Sequence, residues 1–314
     1  MALYEPGLGF YETGGAAGRR GDFLTSPEVG PLFGAVMARA FDGWWEELGE
    51  PDPFTVVEAG AGRATLAKAI LAAGPACRDA LRYVAVERSD ALRAGHPEGV
   101  EWAGVMPAEP FVGVILANEL LDNLPFGLLE RSKDGWAEVR VTEELGEALV
   151  PVDDAPEGRL APDAPVGARI PTQRAAQAWV EQARRLVARG RVVVVDYADA
   201  TPSMARRPWT EWVRTYRGHG RGSHPLADLG AQDVTCEVAV DQLPAPTSDR
   251  SQAEFLRAHG LDDLAGEARR EWEARAHIGD LQALKHRSRV GEAAALTDAA
   301  GLGAFQVLEW AQGL

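Results

Sequence analysis

Apolar positions in the chain follow two periods, one helical and one of buried strands. In "TSPEVGPLFGAVMARAFDGWWEEL", Val29, Leu32, Phe33, Val36, Met37, Ala40 and Phe41 recur at helical spacing. Ser26 is the expected N-cap, Pro27 sits in the first turn, and Glu28 favours the positive helix end. Residues 54–57 read as a short buried strand, and 64–73 as a helix closed by Gly74 and Pro75. "LRYVAVE" and "VGVILAN" are two further strands. This strand–helix–strand alternation predicts an α/β fold, a doubly wound parallel sheet with helices on both faces.

From residue 126 to 152 the pattern changes to hairpin-like strands, "GLLER", "WAEVRV" and "EALVPV". A Pro/Gly-rich loop, "DDAPEGRLAPDAPVG", follows. "TQRAAQAWVEQARRLVARG" returns to helix, with Ala176, Trp179, Val180, Ala183 and Val187 on one face and Gly190 as its stop. "RVVVVDYAD" is a buried strand straight after it. Residues 201–233 are irregular, basic and aromatic. Helices are expected over 252–259, 264–286 and 290–299, and "AFQVLEW" ends the chain as an edge or hairpin strand.

Composition narrows the class. The 314 residues, 46% of them hydrophobic, suit one large α/β domain with an insertion, or two small domains. No apolar run approaches bilayer length, and "MALYEPGLGFYETGG" is no signal peptide. Two cysteines, Cys77 and Cys236, exclude a disulfide framework. The expectation is a soluble, cytoplasmic protein, and the abundance of Ala, Arg and Gly has a bacterial look. A net charge of −15 serves solubility or a basic partner, and it disfavours nucleic acid.

The chemistry concentrates at "TVVEAGAGRATLAKAILAAGP". A glycine turn from a first strand into a helix brings backbone close to a ligand. The nicotinamide fingerprint needs a third Gly or Ala, but Gly60 and Gly62 are followed by Thr65. Glu58 would repel a pyrophosphate at the mouth of this turn. It would welcome S-adenosylmethionine, which carries an amino group and a sulfonium. Glu87 ends the second strand, where an acidic side chain can accept hydrogen bonds from ribose hydroxyls. The fourth strand runs into "NELLDNLP", which places Asn118, Glu119 and Asp122 beyond the carboxyl ends of the strands, near the sulfonium, or leaves Asp122 or Asn123 merely capping a turn.

These blocks resemble the MidA-like family of S-adenosylmethionine-dependent methyltransferases. "ALYEPGLGFYETGG" is similar to the family's opening stretch, and "GDFLTSPEVGPLFG" to its most distinctive block. "VVEAGAGRATLAKAIL", "YVAVERSDALR", "LANELLDNLP", "VVVVDYAD", "YRGHGRGSHPLADLGAQDVT", "SQAEFLRAHGL" and "GLGAFQVL" follow in the family's order. The family usually has glycine where Ala64 stands. It usually has Ala-His-Val-Asp-Phe where this chain has "CEVAV", so Cys236, Glu237 and Ala239 depart from it. The chain also starts close to the first motif, without the usual leading helix.

The resemblance implies a Rossmann-like class I methyltransferase fold with an antiparallel edge strand and a partly helical region covering the substrate. It divides the chain into 1–53 on the cofactor site, a core over 54–200 with a hairpin insertion at about 126–170, a covering insertion over 201–275, and 276–314 completing the core. Mitochondrial family members methylate an arginine on a respiratory complex I subunit. A protein side chain such as arginine is therefore the expected acceptor. Glu119 and Asp122 would fix the guanidinium and take its proton, with Asp196 and Tyr197 on the substrate side, or Asp196 merely capping a strand end. Thr25 and Ser26 would meet the carboxylate of the cofactor's methionine part at a helix N-terminus, or merely start the helix. A small-molecule or natural-product acceptor and a non-catalytic, cofactor-binding assembly factor stay open, as does the oligomeric state. Arg206, Arg207, Arg214, Arg217 and Arg221 among Trp209, Trp212 and Tyr216 could bind single strands, but the rest of the chain is acidic. His219 and His224 lack a third ligand, so no metal is expected.

Overall fold

Runs that are apolar throughout become inner strands, because both of their faces are covered. The computed structural model describes residues 2–5, 7–11, 25–90, 92–93, 97–217 and 220–314. Its main sheet holds β1 (Phe54–Ala59), β2 (Leu81–Val86), β3 (Val100–Ala103), β4 (Phe111–Asn118), β5 (Val187–Asp196), β6 (Ser248–Ser251) and β7 (Gln306–Gln312). The order across it is β6-β7-β5-β4-β1-β2-β3. Strands β1 to β5 are mutually parallel, β7 runs antiparallel to β5, and β6 antiparallel to β7. The antiparallel C-terminal strand, expected at the edge, is thus one place in from it. The edge is β6, within the stretch expected to cover the substrate. Its sequence, Ser-Asp-Arg-Ser, has no apolar alternation, so pairing with β7 defines it rather than its own pattern.

Alternate strand residues feed two cores. Val56, Val114, Leu116, Val193 and Val195 pack with the Pro31–Glu47 and Thr65–Ala73 helices and with Phe255 and Leu296. Val57, Ile115, Ala117, Val192 and Val194 pack on the other face under Ala176, Val180 and Ala183 of the Arg174–Leu186 helix. The sequence "GLLER…WAEVRV…EALVP" forms a separate antiparallel sheet, completed by Arg169–Thr172.

Several boundaries differ from the pattern. The first helix is broken: Ser26–Val29 ends at Gly30, and Pro31–Glu47 begins anew. Pro31 has no N–H to continue the ladder. At Gly30 an added Cβ would lie 2.2 Å from the Glu292 carboxyl, which accepts the Leu32 amide. Thr25, not Ser26, holds the N-cap position, and the Ser26 hydroxyl instead donates to Gln252 Oε1 at 2.8 Å. The expected 264–286 helix is two, Leu261–Arg275 and Leu281–Leu296. Gly279 at φ 64° turns the chain, and the Asp280 carboxylate caps the second through the Ala283 amide. The supposedly irregular 201–233 stretch includes Val213–Arg217, which pairs with Gly220–Arg221 and Asp233–Cys236. Three of its arginines are paired with carboxylates, two of them partly buried and Arg217 at the surface. Arg207 pairs with Asp199 and Glu237, Arg214 with Glu237, and Arg217 with Asp228.

Gly190 does not stop a helix. The helix ends at Leu186, and Gly190 lies inside β5 at φ 132°. It stands opposite Gly113, at φ 146°, which stands opposite Thr55. A Cβ on Gly113 would come within 1.9 Å of the Thr55 carbonyl oxygen, and one on Gly190 within 1.8 Å of the Gly113 oxygen. Both glycines therefore permit close approach of three central strands. Gly113→Ala or Gly190→Ala should destabilise the fold by about 3 kcal/mol or more, read by thermal or denaturant unfolding. Unchanged melting of both variants would contradict this packing.

Candidate active site

The carboxyl ends of β1, β2 and β4 open on a cavity of about 620 Å³. That volume falls in the range of ligand pockets, roughly 300–1,000 Å³. Glu58, Gly60, Gly62 and Glu87 line one part of it, and Thr25, Asn118 and Glu119 another. Gly60 and Gly62 are both left-handed, at φ 71° and 53°. The amides of Gly60 and Ala61 bond back to the Val86 carbonyl, tying the turn to β2. Ala64, which replaces the family's usual glycine, is also left-handed at φ 55°, just before the Thr65–Ala73 helix.

Glu87 is fixed by backbone. The Gly62 amide donates to its Oε2 at 2.9 Å, and the Ser89 amide to Oε1 at 2.8 Å. Each oxygen keeps a lone pair for a hydroxyl. Glu58 is buried and accepts from the Tyr83 hydroxyl at 2.7 Å. Burial pushes its carboxyl up to about 7, against that hydrogen bond.

Asn118 donates from Nδ2 to Glu119 Oε1 at 3.0 Å, while its buried Oδ1 has no partner among the described residues. Glu119 adopts φ 51° and also accepts from the Ser26 amide and the Tyr197 hydroxyl, each at 3.3 Å. Burial raises its carboxyl to about 7, against these bonds. Ser26 is fully buried and does not line the cavity. Its amide serves Glu119, which corrects the picture of a free helix N-terminus there.

Asp122 and Asp196 stand behind the cavity wall rather than on it, each 1% exposed. Asp196 is spent on backbone: Oδ2 accepts the Leu121 and Asp122 amides, and Oδ1 the Tyr197 amide. It holds the turn, as a strand-end cap would. Neither side-chain oxygen of Asp122 makes a well-formed hydrogen bond among the described residues, and the nearby Tyr197 hydroxyl alone lowers its proton affinity. Burial lifts Asp122 well above the usual carboxylate range, and the charges of Asp196, Glu119 and Asp233 lift it further.

Sequence reasoning missed four residues here. Tyr4 and Tyr11 stack at 5.6 Å and line the cavity. The Tyr4 hydroxyl donates to the Asn123 carbonyl at 3.2 Å, and that of Tyr11 to Asn123 Oδ1 at 3.1 Å. Asn123 Nδ2 in turn donates to Asp233 Oδ1 at 3.4 Å. All four lie in blocks that were singled out, "ALYEPGLGFYETGG", "NELLDNLP" and "QDVT". The signal was their membership of these blocks, since nothing local marks their side chains. Residues 12–24, which include the start of "GDFLTSPEVGPLFG", lie outside the described residues, as does His219. His224 Nδ1 accepts from the Leu226 amide.

Residues 36–258 match a family model described as "Putative S-adenosyl-L-methionine-dependent methyltransferase". The chain belongs to this family. It is 29% identical to the crystal structure of a COG1565 superfamily member from Burkholderia thailandensis bound to S-adenosyl-homocysteine. That similarity covers 99% of this chain and 86% of the other, with a TM-score of 0.83. It is 24% identical to the mitochondrial protein arginine methyltransferase NDUFAF7 of Mus musculus over 92% of this chain and 77% of that one. The human relative is 26% identical over 83% and 68%. A match to the Drosophila melanogaster homolog reaches 42%, but over only 22% of this chain and 16% of that protein. The fold is thus that of class I methyltransferases, and S-adenosyl-L-methionine is the cofactor. The glycine turn, the backbone-held Glu87 and the unpartnered Asn118 Oδ1 fit its polar groups. No helix among the described residues is long and apolar enough to cross a membrane.

The raised carboxyls give this methyltransferase a pH signature. A cationic ligand favours ionised Glu58 and Glu119, so below about 7 it must displace protons. Affinity for S-adenosylmethionine should be full at alkaline pH and fall as pH drops through 7, by at most about tenfold per unit for each group. S-adenosylhomocysteine, without the sulfonium charge, should show a shallower fall, and Glu58→Gln should flatten the curve. Calorimetric titration across pH checks this, and a flat wild-type profile would contradict it.

Proposed function

We propose that this methyltransferase transfers a methyl group to a cationic side chain of a protein, of the guanidinium class. One observation carries the reading. Asp122 is buried beside Glu119, Asp196 and Asp233, and among the described residues no cation and no group but the Tyr197 hydroxyl offsets its burial. No ion pair to Glu119, Asp122 or Asp196 exists among the described residues. Buried charges without partners are costly, and a guanidinium entering beside them would supply both the charge and the donors. The mitochondrial relatives named as protein arginine methyltransferases support the same class.

The chain's residues divide the work as follows. Glu87 takes the ribose hydroxyls, and Gly60 and Gly62 let backbone approach the ligand. Glu58 and the Asn118 Oδ1 receive the amino group, and Thr25 lies at the same cavity. When bound, the cofactor supplies an electrophilic methyl group on a cationic sulfur. Positioning is then the main demand on the protein, and it can contribute on the order of 7–11 kcal/mol. Glu119, on the cavity wall, orients the guanidinium fork, and Asp122, buried directly behind that wall, adds negative charge to the same place. One of them accepts the proton lost on methylation, a task suited to a carboxyl raised to about 7. Tyr197, bonded to Glu119, steers that carboxylate.

Asp122→Asn tests this. The variant should bind S-adenosylhomocysteine within about threefold of wild type, yet lose at least about a hundredfold in labelled methyl transfer to lysate proteins. Its stability should change with the opposite sign. A carboxyl whose folded pKa is raised favours folding at low pH and opposes it as pH rises through that value. Asp122→Asn should therefore melt higher than wild type at alkaline pH, with the gain vanishing in acid. Retained transfer would remove Asp122 from the site. Label found only in small metabolites would overturn the protein acceptor.

A further inference from the structure

The sheet built from residues 127–172 grows out of the cavity wall. Asn123, Leu124 and Pro125 line the cavity, and the chain continues through Phe126 directly into the Gly127–Arg131 strand. The strand order is Glu147–Pro151, Trp136–Val141, Gly127–Arg131, Arg169–Thr172. Glu147–Pro151 therefore forms an open edge, and every residue in it is exposed.

The direction of its backbone groups follows from pairing. The Thr142 amide bonds to the Gly146 carbonyl, and the Val152 amide to the Trp136 carbonyl. Hydrogen-bonded pairs alternate in an antiparallel ladder. Even-numbered residues thus face the neighbouring strand, while the amides and carbonyls of Glu147 and Leu149 and the carbonyl of Pro151 face outward. Apolar side chains stand beside this edge: Val141 is 55% exposed, Leu145 47% and Leu149 48%. No lysine blunts this edge, and its one proline, Pro151, stands at the end of the strand and leaves the outward groups of Glu147 and Leu149 open.

Charge identifies the occupant. Between Arg140 and Arg159 lie Glu143, Glu144, Glu147, Asp153, Asp154 and Glu157, with no Lys or Arg. Arg169, Arg159 and Arg174 pair with Glu147, Asp154 and Glu157, which leaves Glu143, Glu144 and Asp153 in no ion pair among the described residues. A second copy added edge to edge would set these carboxylates against their own kind. We propose that Glu147–Pro151 is a docking strand for an extended, basic segment of the protein acceptor, added as a further strand. Main-chain bonds to Glu147 and Leu149 hold the segment, and the flanking carboxylates select its Lys and Arg residues. The added strand lies about 14 Å from Gly127–Arg131, three strand spacings away. The inference rests on the reading of a protein acceptor.

The probe is a labelled peptide of about ten residues alternating valine and arginine, followed by fluorescence anisotropy. Wild-type protein should bind it, more weakly at high salt, and should ignore the version with glutamate for arginine. Leu149→Pro removes one outward amide without touching the inner ladder and should weaken binding about tenfold or more. Glu143→Lys with Glu144→Lys should weaken it with the backbone intact. Both variants should keep wild-type affinity for S-adenosylhomocysteine, which reports an intact fold. Equal binding by wild type and Leu149→Pro, or no binding by wild type, would overturn the proposal. So would self-association of wild type that Leu149→Pro abolishes, since the occupant is then a second copy. An arginine peptide that docks but never accepts a methyl group would instead sink the acceptor reading and leave the docking strand standing.

Discussion

The constraint on which the site depends is the crowding of carboxylates at the ends of β4 and β5. Glu119, Asp122 and Asp196 share one small region with Asp233; the charges of Asp196, Glu119 and Asp233 raise the proton affinity of Asp122, and that of Glu119 raises Asp196's. The structure compensates them unequally. Asp196 receives three backbone amides, which makes it an anchor for the Leu121 turn. Glu119 receives an amide from Ser26, a side-chain amide from Asn118 and a hydroxyl from Tyr197. Asp122 is the least satisfied: among the described residues only the nearby Tyr197 hydroxyl offsets the burial of its carboxyl. This gradient separates a structural carboxylate, an oriented one and an unsatisfied one within a single loop. The left-handed backbone of Glu119 is part of the same arrangement, since it turns the chain so that all three carboxylates converge.

The sheet explains why these groups can meet. Thr55, Gly113 and Gly190 lie side by side on β1, β4 and β5, and the missing side chains let these backbones approach. Glu58, Asn118 and Asp196 lie at or next to the carboxyl ends of the same three strands. The N-terminal tyrosines then join the cofactor side to the acceptor side. The Tyr11 carbonyl accepts from the Ser89 hydroxyl, two residues from Glu87, while its own hydroxyl reaches Asn123.

What was legible in the sequence was local. The glycine turn and Glu87 could be read because a strand, two glycines and a helix dictate their geometry within a few residues. The placement of Asn118 and Glu119 followed from the rule that ligands bind beyond strand ends. Asp122 and Asp196 were identified as residue types, but not which of the two is satisfied, because that depends on amides contributed 74 and 75 residues away in sequence. Tyr4 and Tyr11 meet Asn123 across separations of 119 and 112 residues, and no local pattern encodes such a meeting. β6 was invisible because its four residues carry no strand signal. Gly190 was misread because a glycine after a helical pattern looks like a stop, whereas here it serves a neighbouring strand.

The uneven distribution of charge bears on selectivity. Five arginines between 206 and 221 suggest a basic surface, yet Arg207, Arg214 and Arg217 are neutralised by Asp199, Glu237 and Asp228. Glu237, where the family resemblance leads one to expect histidine, serves both Arg207 and Arg214 and so consumes positive charge inside the fold. Among the carboxylates that no described cation pairs with are Asp122 at the site and Glu143, Glu144 and Asp153 by the edge strand. A neutral acceptor would leave Asp122 as it is, buried and unpaired. A cationic acceptor gains from every carboxylate it meets. Discrimination of this kind does not require a tight steric fit, because a cation beside Asp122 favours the ionised form that burial otherwise disfavours. The same arrangement that destabilises the free protein therefore favours the one class of acceptor that relieves it.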